Sequence, residues 1–246
     1  MMQENDSVIL KLPVMLMRGG TSKGAYILED DLPEDREEWE PILLKLMGSP
    51  DKKQIDGLGG SQSVTSKVAI VKKSSRADAD VDYTFAQVSV DKPLVSYKGN
   101  CGNISSGVGP FAIERGLIEA KEGTTSVRIF NTNTEKVIIA DVKTKDGCVE
   151  YDGDFAIAGV PGTASPVRLK FVEPSGTLGK GLLPTGNAVL IIRKAAPYHI
   201  LKIPLDSARQ TFLWKELPIS EREVSPHESG LNITVHIDCS CSHWLY

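Results

Sequence analysis

The chain has 246 residues, 41% of them hydrophobic and 24% charged, with a formal net charge of −4 at pH 7. That length allows one large domain or two medium ones and can bury a sizeable core. The mildly acidic balance lacks the basic stripe that a nucleic-acid partner requires, and no run of about 18 apolar residues is present to span a membrane.

The first stretch, MMQENDSVILKLPVMLM, carries Glu4 and Asp6 ahead of its apolar part and Lys11 inside it. This is the wrong charge order for a signal peptide, so the cytoplasm is the expected compartment. VILKLPVMLMR (8–18) and GAYILE (24–29) read as strands joined by the turn GGTSK. REEWEPILLKLM (36–47) is a helix: Trp39, Leu43, Leu46 and Met47 share a face, and Gly48, Ser49 and Pro50 end it. KVAIVKK (67–73) and DVDYTFAQVSV (80–90) are strands. In YKGNCGNISSGVGPFAIERGLI (97–118), Ser105 or Ser106 is expected to cap a helix that runs to Gly116. SVRIFNTNTEKVIIADVKT (126–144) reads as a hairpin, Cys148 as a hairpin residue after KDG, and RLKFVE (168–173) as a further strand.

Beyond Val189 the character changes. Of the 22 glycines only Gly230 lies past that point, whereas all four histidines do. Residues 190–246 show neither clear strand alternation nor the turn chemistry of the first part. Two readings compete: a small appended domain, or a truncated or out-of-frame terminus never selected to complete this fold, which is the preferred expectation. The division is therefore 1–189 as one lobe and 190–246 as an atypical tail.

The four cysteines, at 101, 148, 239 and 241, are too few for a disulfide framework and read as reduced thiols. His236, Cys239, Cys241 and His243 miss the spacing of structural zinc sites, so the expectation is no metal. The acidic residues Glu29, Asp30 and Asp31 and the charges of REEWE read as a solvated face.

Three Gly-rich clusters remain: MRGGTSKG (17–24), GLGGSQSVTSK (57–67) and GNCGNISS (99–106). Glycine lets the backbone approach a ligand closely, while hydroxyls and bare amides bind carboxylate or phosphate oxygens. None of the clusters has the P-loop pattern, nor does SGTLGKG (175–181). With no histidine in residues 1–190, a general base there must be Lys, Cys, Tyr or a carboxylate. Lys67 begins a strand behind a Gly-rich loop, and Cys101 heads a helix whose amide dipoles favour thiolate. Each also has a plain reading, Lys67 as a solvated strand end and Cys101 as a small loop filler. Arg18 either pairs with an anionic substrate or closes a strand.

Taken in order, MRGGTSKG, GLGGSQSVTSKVAIV and GNCGNISSGVGPFAI resemble the PrpF family of aconitate and 2-methylaconitate isomerases. That family is related to 3-methylitaconate isomerase and 4-oxalomesaconate tautomerase, and more distantly to diaminopimelate epimerase. LLPTGNAV (182–189) matches a later stretch, so the resemblance covers about residues 7–189. It implies an α+β fold in which each lobe is a β-barrel-like sheet wrapped around a central helix, with the active site between lobes. The family's second lobe is not recognisable in 190–246, which would expose a normally packed face and favour homo-oligomeric association.

The resemblance further implies a catalytic pair at Lys67 and Cys101, with either residue as the base and Lys67 preferred. It places substrate-binding groups at Arg18, Gly19, Gly20, Thr21, Ser22 and Lys23; at Gly59, Gly60, Ser63, Thr65 and Ser66; and at Asn100, Gly102, Asn103, Ser105 and Ser106. The implied reaction moves or rotates a C=C bond in a di- or tricarboxylate by proton abstraction and return, without metal or organic cofactor. An iron–sulfur dehydratase of the aconitase type is the implied metabolic neighbour. Two other readings stay open: an inactive lobe that at most binds carboxylates or a partner, and an epimerase or racemase on the same fold. Such epimerases typically use two cysteines, and no second catalytic cysteine is evident.

Overall fold

The computed structural model describes residues 11–172, 189–193, 200–204 and 234–238. The elements in chain order are β1 (Met15–Gly19), β2 (Ser22–Leu28), α1 (Trp39–Met47), β3 (Lys67–Lys73), β4 (Val81–Val88) and β5 (Val95–Ser96). They continue with α2 (Gly102–Glu114), β6 (Gly123–Asn131), β7 (Lys136–Lys145), β8 (Cys148–Val149), β9 (Pro166–Phe171), β10 (Val189–Arg193), β11 (Ile200–Pro204) and β12 (Thr234–Asp238).

One mixed sheet of ten strands runs β1-β2-β3-β4-β6-β7-β9-β12, with β5 on β4 and β8 on β7. The pairs β2–β3 and β4–β6 are parallel and the others antiparallel. Strands β10 and β11 form a separate antiparallel pair. Residues 182–188 of the LLPTGNAV stretch lie outside the described residues, as do Cys239, Cys241 and His243.

Helix α2 touches β1, β2, β3, β4, β6, β7, β8 and β9, and β12 as well. Seven strands of the main path laid flat would span about 29 Å at ~4.8 Å per strand, against a helix about 10–12 Å wide. A single helix can reach all of them only if the sheet curls around it. This is the α+β arrangement that the sequence resemblance implies, a barrel-like sheet wrapped on a central helix.

Period-two alternation decides what each face buries. On the concave face Tyr26, Ala69, Val71, Val81, Tyr83 and Phe85 pack with Ile104, Val108, Phe111 and Ala112 of α2. On the convex face Ala25, Ile27, Val68, Ile70, Ala86 and Val88 pack with Trp39, Leu43 and Met47 of α1. Strand β3 is therefore apolar on both sides, and Val68 through Val71 are wholly buried. Each large aliphatic or aromatic side chain so buried contributes about 1.5–3 kcal/mol.

Several boundaries move from the sequence reading. The strand expected at 8–18 is confined to Met15–Gly19 within the described residues, because Pro13 has no N–H to give a ladder. The helix expected at 36–47 opens as a 3-10 turn over Arg36–Glu38 before α1, and ends at Gly48 with φ 77° as expected. The hairpin widens to β6 and β7, and exposed Cys148 sits opposite Lys145.

The helix expected to be capped by Ser105 or Ser106 instead starts at Gly102, with Cys101 at the N-cap, and ends at Glu114. Both serines are fully buried inside it. Ser105 Oγ donates to the Cys101 carbonyl at 2.9 Å, and Ser106 Oγ donates to the Asn103 carbonyl at 2.7 Å. Such back-bonding lets serine occupy a helix interior instead of its cap.

Leu43 is fully buried in the convex core. Leu43→Ala should lower unfolding stability by about 2–5 kcal/mol, read as a reduced denaturant midpoint with m unchanged.

Candidate active site

Lys67 is the first residue of β3 and lies opposite Gln87 of β4. Lys67 shares the concave face with Ala69 and Val71, and Gln87 shares it with Phe85 and Tyr83. The lysine is only 8% exposed. Its Nζ donates to Gln87 Oε1 at 2.6 Å and stands 5.2 Å from the Phe85 ring centroid. Gln87 Nε2 in turn donates to the carbonyls of Ser66 at 2.9 Å and Ser63 at 3.1 Å.

Cys101 enters the same end of the concave face from α2. It is half-buried, packs against the concave core and is a free thiol. The first turn of α2 holds no acidic residue. Beneath it the Tyr83 phenol is fully buried, and its oxygen has no hydrogen-bond partner of good geometry. Burial pushes this phenol well above its ordinary pKa; neighbouring Cys101 adds to the shift and Ser105 opposes it.

The three Gly-rich clusters converge through close backbone approach. A Cβ on Gly19 would overlap the Asn103 carbonyl oxygen, and one on Gly24 would come within 2.7 Å of the Lys67 carbonyl and 3.1 Å of Ile104 Cδ1. Tyr26 Oη donates to the Ile104 carbonyl at 2.7 Å, and Asn103 Nδ2 donates to Thr21 Oγ1 at 3.0 Å. Asn100 Oδ1 accepts from Ser105 Oγ at 3.0 Å and from Asn131 Nδ2 at 3.1 Å. In the second cluster Gln54 is buried. It donates to Ser66 Oγ at 2.8 Å and accepts from the Ser61 amide at 3.0 Å.

A cleft of about 810 Å³ is lined by Arg18, Thr21, Ser22, Lys23 and Thr65, together with Met15, Met17 and Tyr151. Arg18 and Lys23 are direct register partners in the β1–β2 hairpin. Like charges placed opposite each other cost stability, a cost that an anion between them would offset. Arg18 Nη1 also donates to the Gly20 carbonyl at 2.7 Å, bracing the turn.

The structure thus separates the sequence-nominated residues into groups. Lys67 and Cys101 share one end of the concave face. Arg18, Thr21, Ser22, Lys23 and Thr65 line the cleft, which neither Lys67 nor Cys101 lines. Gly19, Gly102 and Asn103 form the junction between the first and third clusters. Gly60 and Ser63 are exposed on the second loop, where Gly59 packs on the Gln54 side chain. Gly20, at φ 52°, forms the hairpin turn. Ser66, Ser105, Ser106 and Asn100 use their side chains to hold neighbouring segments. No group of three or more His, Cys, Asp or Glu gathers as a metal site among the described residues.

This arrangement has close counterparts. The sequence pattern of the family described as PrpF protein matches residues 9–203. The chain belongs to the PrpF family. It is 56% identical over 178 residues to a 4-oxalomesaconate tautomerase of Pseudomonas putida, covering 72% of this chain and 49% of that protein. It is 49% identical over 183 residues to a 3-methylitaconate isomerase of Eubacterium barkeri, covering 74% of this chain and 48% of that protein. The crystal structure of a methylitaconate-delta-isomerase superposes with a TM-score of 0.69 at 49% identity, covering 74% of this chain and 47% of that one. The chain spans about half the length of the curated relatives it matches.

Within this PrpF-family site, sequence reasoning missed Gln54, Gln87, Tyr83 and Asn131. Glutamine and asparagine in a strand or loop carry no motif of their own. Only the β3–β4 register, in which Gln87 faces Lys67, could have singled one out. Gly19→Ala should force the Asn103 backbone away and cost about 1–3 kcal/mol, measured by chemical denaturation. Gly116→Ala is the comparison for a left-handed glycine with open space at Cβ.

Proposed function

We propose that this chain carries the proton-transfer machinery of a PrpF-type isomerase acting on aconitate-like or 2-methylaconitate-like di- and tricarboxylates. The observation that supports this best is the placing of Lys67 and Cys101 at one end of the concave face. A desolvated lysine can serve as a neutral base, and a thiol at a helix N-terminus can serve as its acid partner.

In this reading the substrate carboxylates sit on Thr21 and the amides at the start of α2. The Lys67 amine removes a proton from the carbon next to the C=C bond. The C–H electron pair moves into the conjugated system, and charge develops on the carboxylate oxygens, where amides and hydroxyls stabilise it. The Cys101 thiol returns a proton to the far carbon of the allylic unit, completing a shift of the double bond. Return to the original carbon after rotation gives cis–trans isomerisation. The proton left on Lys67 then passes to the Cys101 thiolate through solvent, which restores the site. The sequence requires no oxidant, metal or organic cofactor.

The test is proton NMR of this chain in D₂O with 2-methylaconitate and with trans-aconitate. Deuterium uptake at the allylic carbon is expected, reduced at least ~10²-fold in Lys67→Ala with the fold intact. An active Lys67→Ala variant would remove Lys67 from the role of base. Silence from the folded chain, beside exchange of 2-methylaconitate by the 2-methyl-aconitate isomerase of Cupriavidus necator as control, would leave a folded lobe without turnover.

A further inference from the structure

Lys67 has one short polar contact that the proposed chemistry does not yet use. Gln87 lies opposite it across β3–β4, on the concave face, with Oε1 at 2.6 Å from Nζ. The orientation of that amide is set from the other side, because its Nε2 donates to the Ser66 and Ser63 carbonyls at 2.9 and 3.1 Å. Turning the amide over would place its oxygen against two carbonyl oxygens and its NH₂ against the lysine. Three hydrogen bonds would be lost together, so the oxygen faces Lys67 persistently.

We propose that Gln87 is the positioning residue for Lys67, holding its nitrogen in both protonation states and setting the pH range in which the amine acts as a base. This rests on Lys67 being the base. A neutral amine has two N–H bonds and one lone pair. With one N–H committed to Gln87 Oε1, and the ring of Phe85 at 5.2 Å, the lone pair is restricted to the remaining directions. After proton transfer the same oxygen accepts from the ammonium, and the ring face attracts the cation. Because the acceptor is neutral, it steadies the ammonium less than a carboxylate would.

The charged and titratable groups on elements packed against this end of β3 are few. Arg18 and Lys23 of hairpin β1–β2 fall on the opposite face of the sheet by strand alternation, whereas α2 brings Cys101, β4 brings Tyr83, and the segment after β4 brings Asp91 near Gln87. The 3-10 turn Ser63–Thr65 brings no charge. Asp82 lies opposite Lys72 at the other end of the strand pair, and Glu29 is paired with Lys72 at 2.7 Å.

The experiment is the pH dependence of deuterium exchange for wild type, Gln87→Glu, Gln87→Met and Lys67→Ala. A parallel NMR titration follows the Lys67 ε-methylene, assigned by Lys67→Arg. Gln87→Glu places an anion at the nitrogen and should move the rising limb and the lysine titration upward by about 1–3 pH units. Gln87→Met removes the acceptor; both should move downward, and kcat should fall more than KM. A residue that merely supported the 57–66 loop would lower stability and move neither titration. Profiles in both variants that overlay wild type would overturn the proposal while Lys67→Ala remains inactive. Should Glu not fold beside the Ser63 and Ser66 carbonyls, the methionine variant decides alone. Exchange by Lys67→Ala would instead remove the reading on which the proposal rests.

Discussion

The burial of one helix against the concave side of a single sheet is the constraint on which the remaining structure depends. Helix α2 must lie close enough to β1, β2, β3, β4, β6, β7 and β9 for one curled surface to enclose it, and only small residues permit that. Gly107 leaves room for the Tyr26 phenol, Gly109 faces Val142 and Ala140, and Ser105 and Ser106 turn their hydroxyls back onto the helix backbone. The helix is consequently poor in intrinsic propensity, and its stability comes from packing. Tyr26 fixes the register of helix against sheet by donating to the Ile104 carbonyl and packing its ring 5.7 Å from that of Phe111.

That placement also builds the site. Locking Ile104 onto Tyr26 brings the start of α2 over the ends of β2 and β3, so Cys101 and Lys67 share one end of the concave face. The glycines at 19 and 24 then have a direct role, because each lies against backbone atoms of another cluster. Glycine in these motifs serves chain crossing at least as much as ligand approach. The hydroxyl-bearing residues divide in the same way. Thr21, Ser22 and Thr65 face the cleft, whereas Ser66, Ser105 and Ser106 support the backbone from within.

Placing a lysine at the edge of an apolar core carries a desolvation cost, and the surroundings answer it with neutral groups. Gln87 and the face of Phe85 are both weak partners compared with a carboxylate. Elsewhere the chain pairs cations with acids directly: Arg128 with Asp80 at 2.7 Å, and Lys170 with Asp141 at 2.9 Å. The Arg128 guanidinium holds the Asp80 carboxyl below its ordinary range by hydrogen bonding, as expected for a structural ion pair. Lys67 differs from these cations in having a neutral amide and an aromatic face at its Nζ.

The sequence by itself determined the strands with strong alternation, the identity of β3 to the residue, the end of α1 at Gly48, and the three clusters that converge. These are local properties, carried by side-chain period and by the backbone freedom of glycine. It placed Lys67 at a strand start and Cys101 at a helix head for the same reason. The start of α2 was not legible, because Ser105 and Ser106 are usual capping residues and only burial in the sheet turns them into interior ones. Nor were Gln54, Gln87, Tyr83 and Asn131, whose roles arise from strand register and from contacts across 12 to 31 residues of chain. Tertiary structure decided which polar groups hold one another and which face the cleft. A side chain's partners are set by the folding of distant segments onto it, and no local pattern records them.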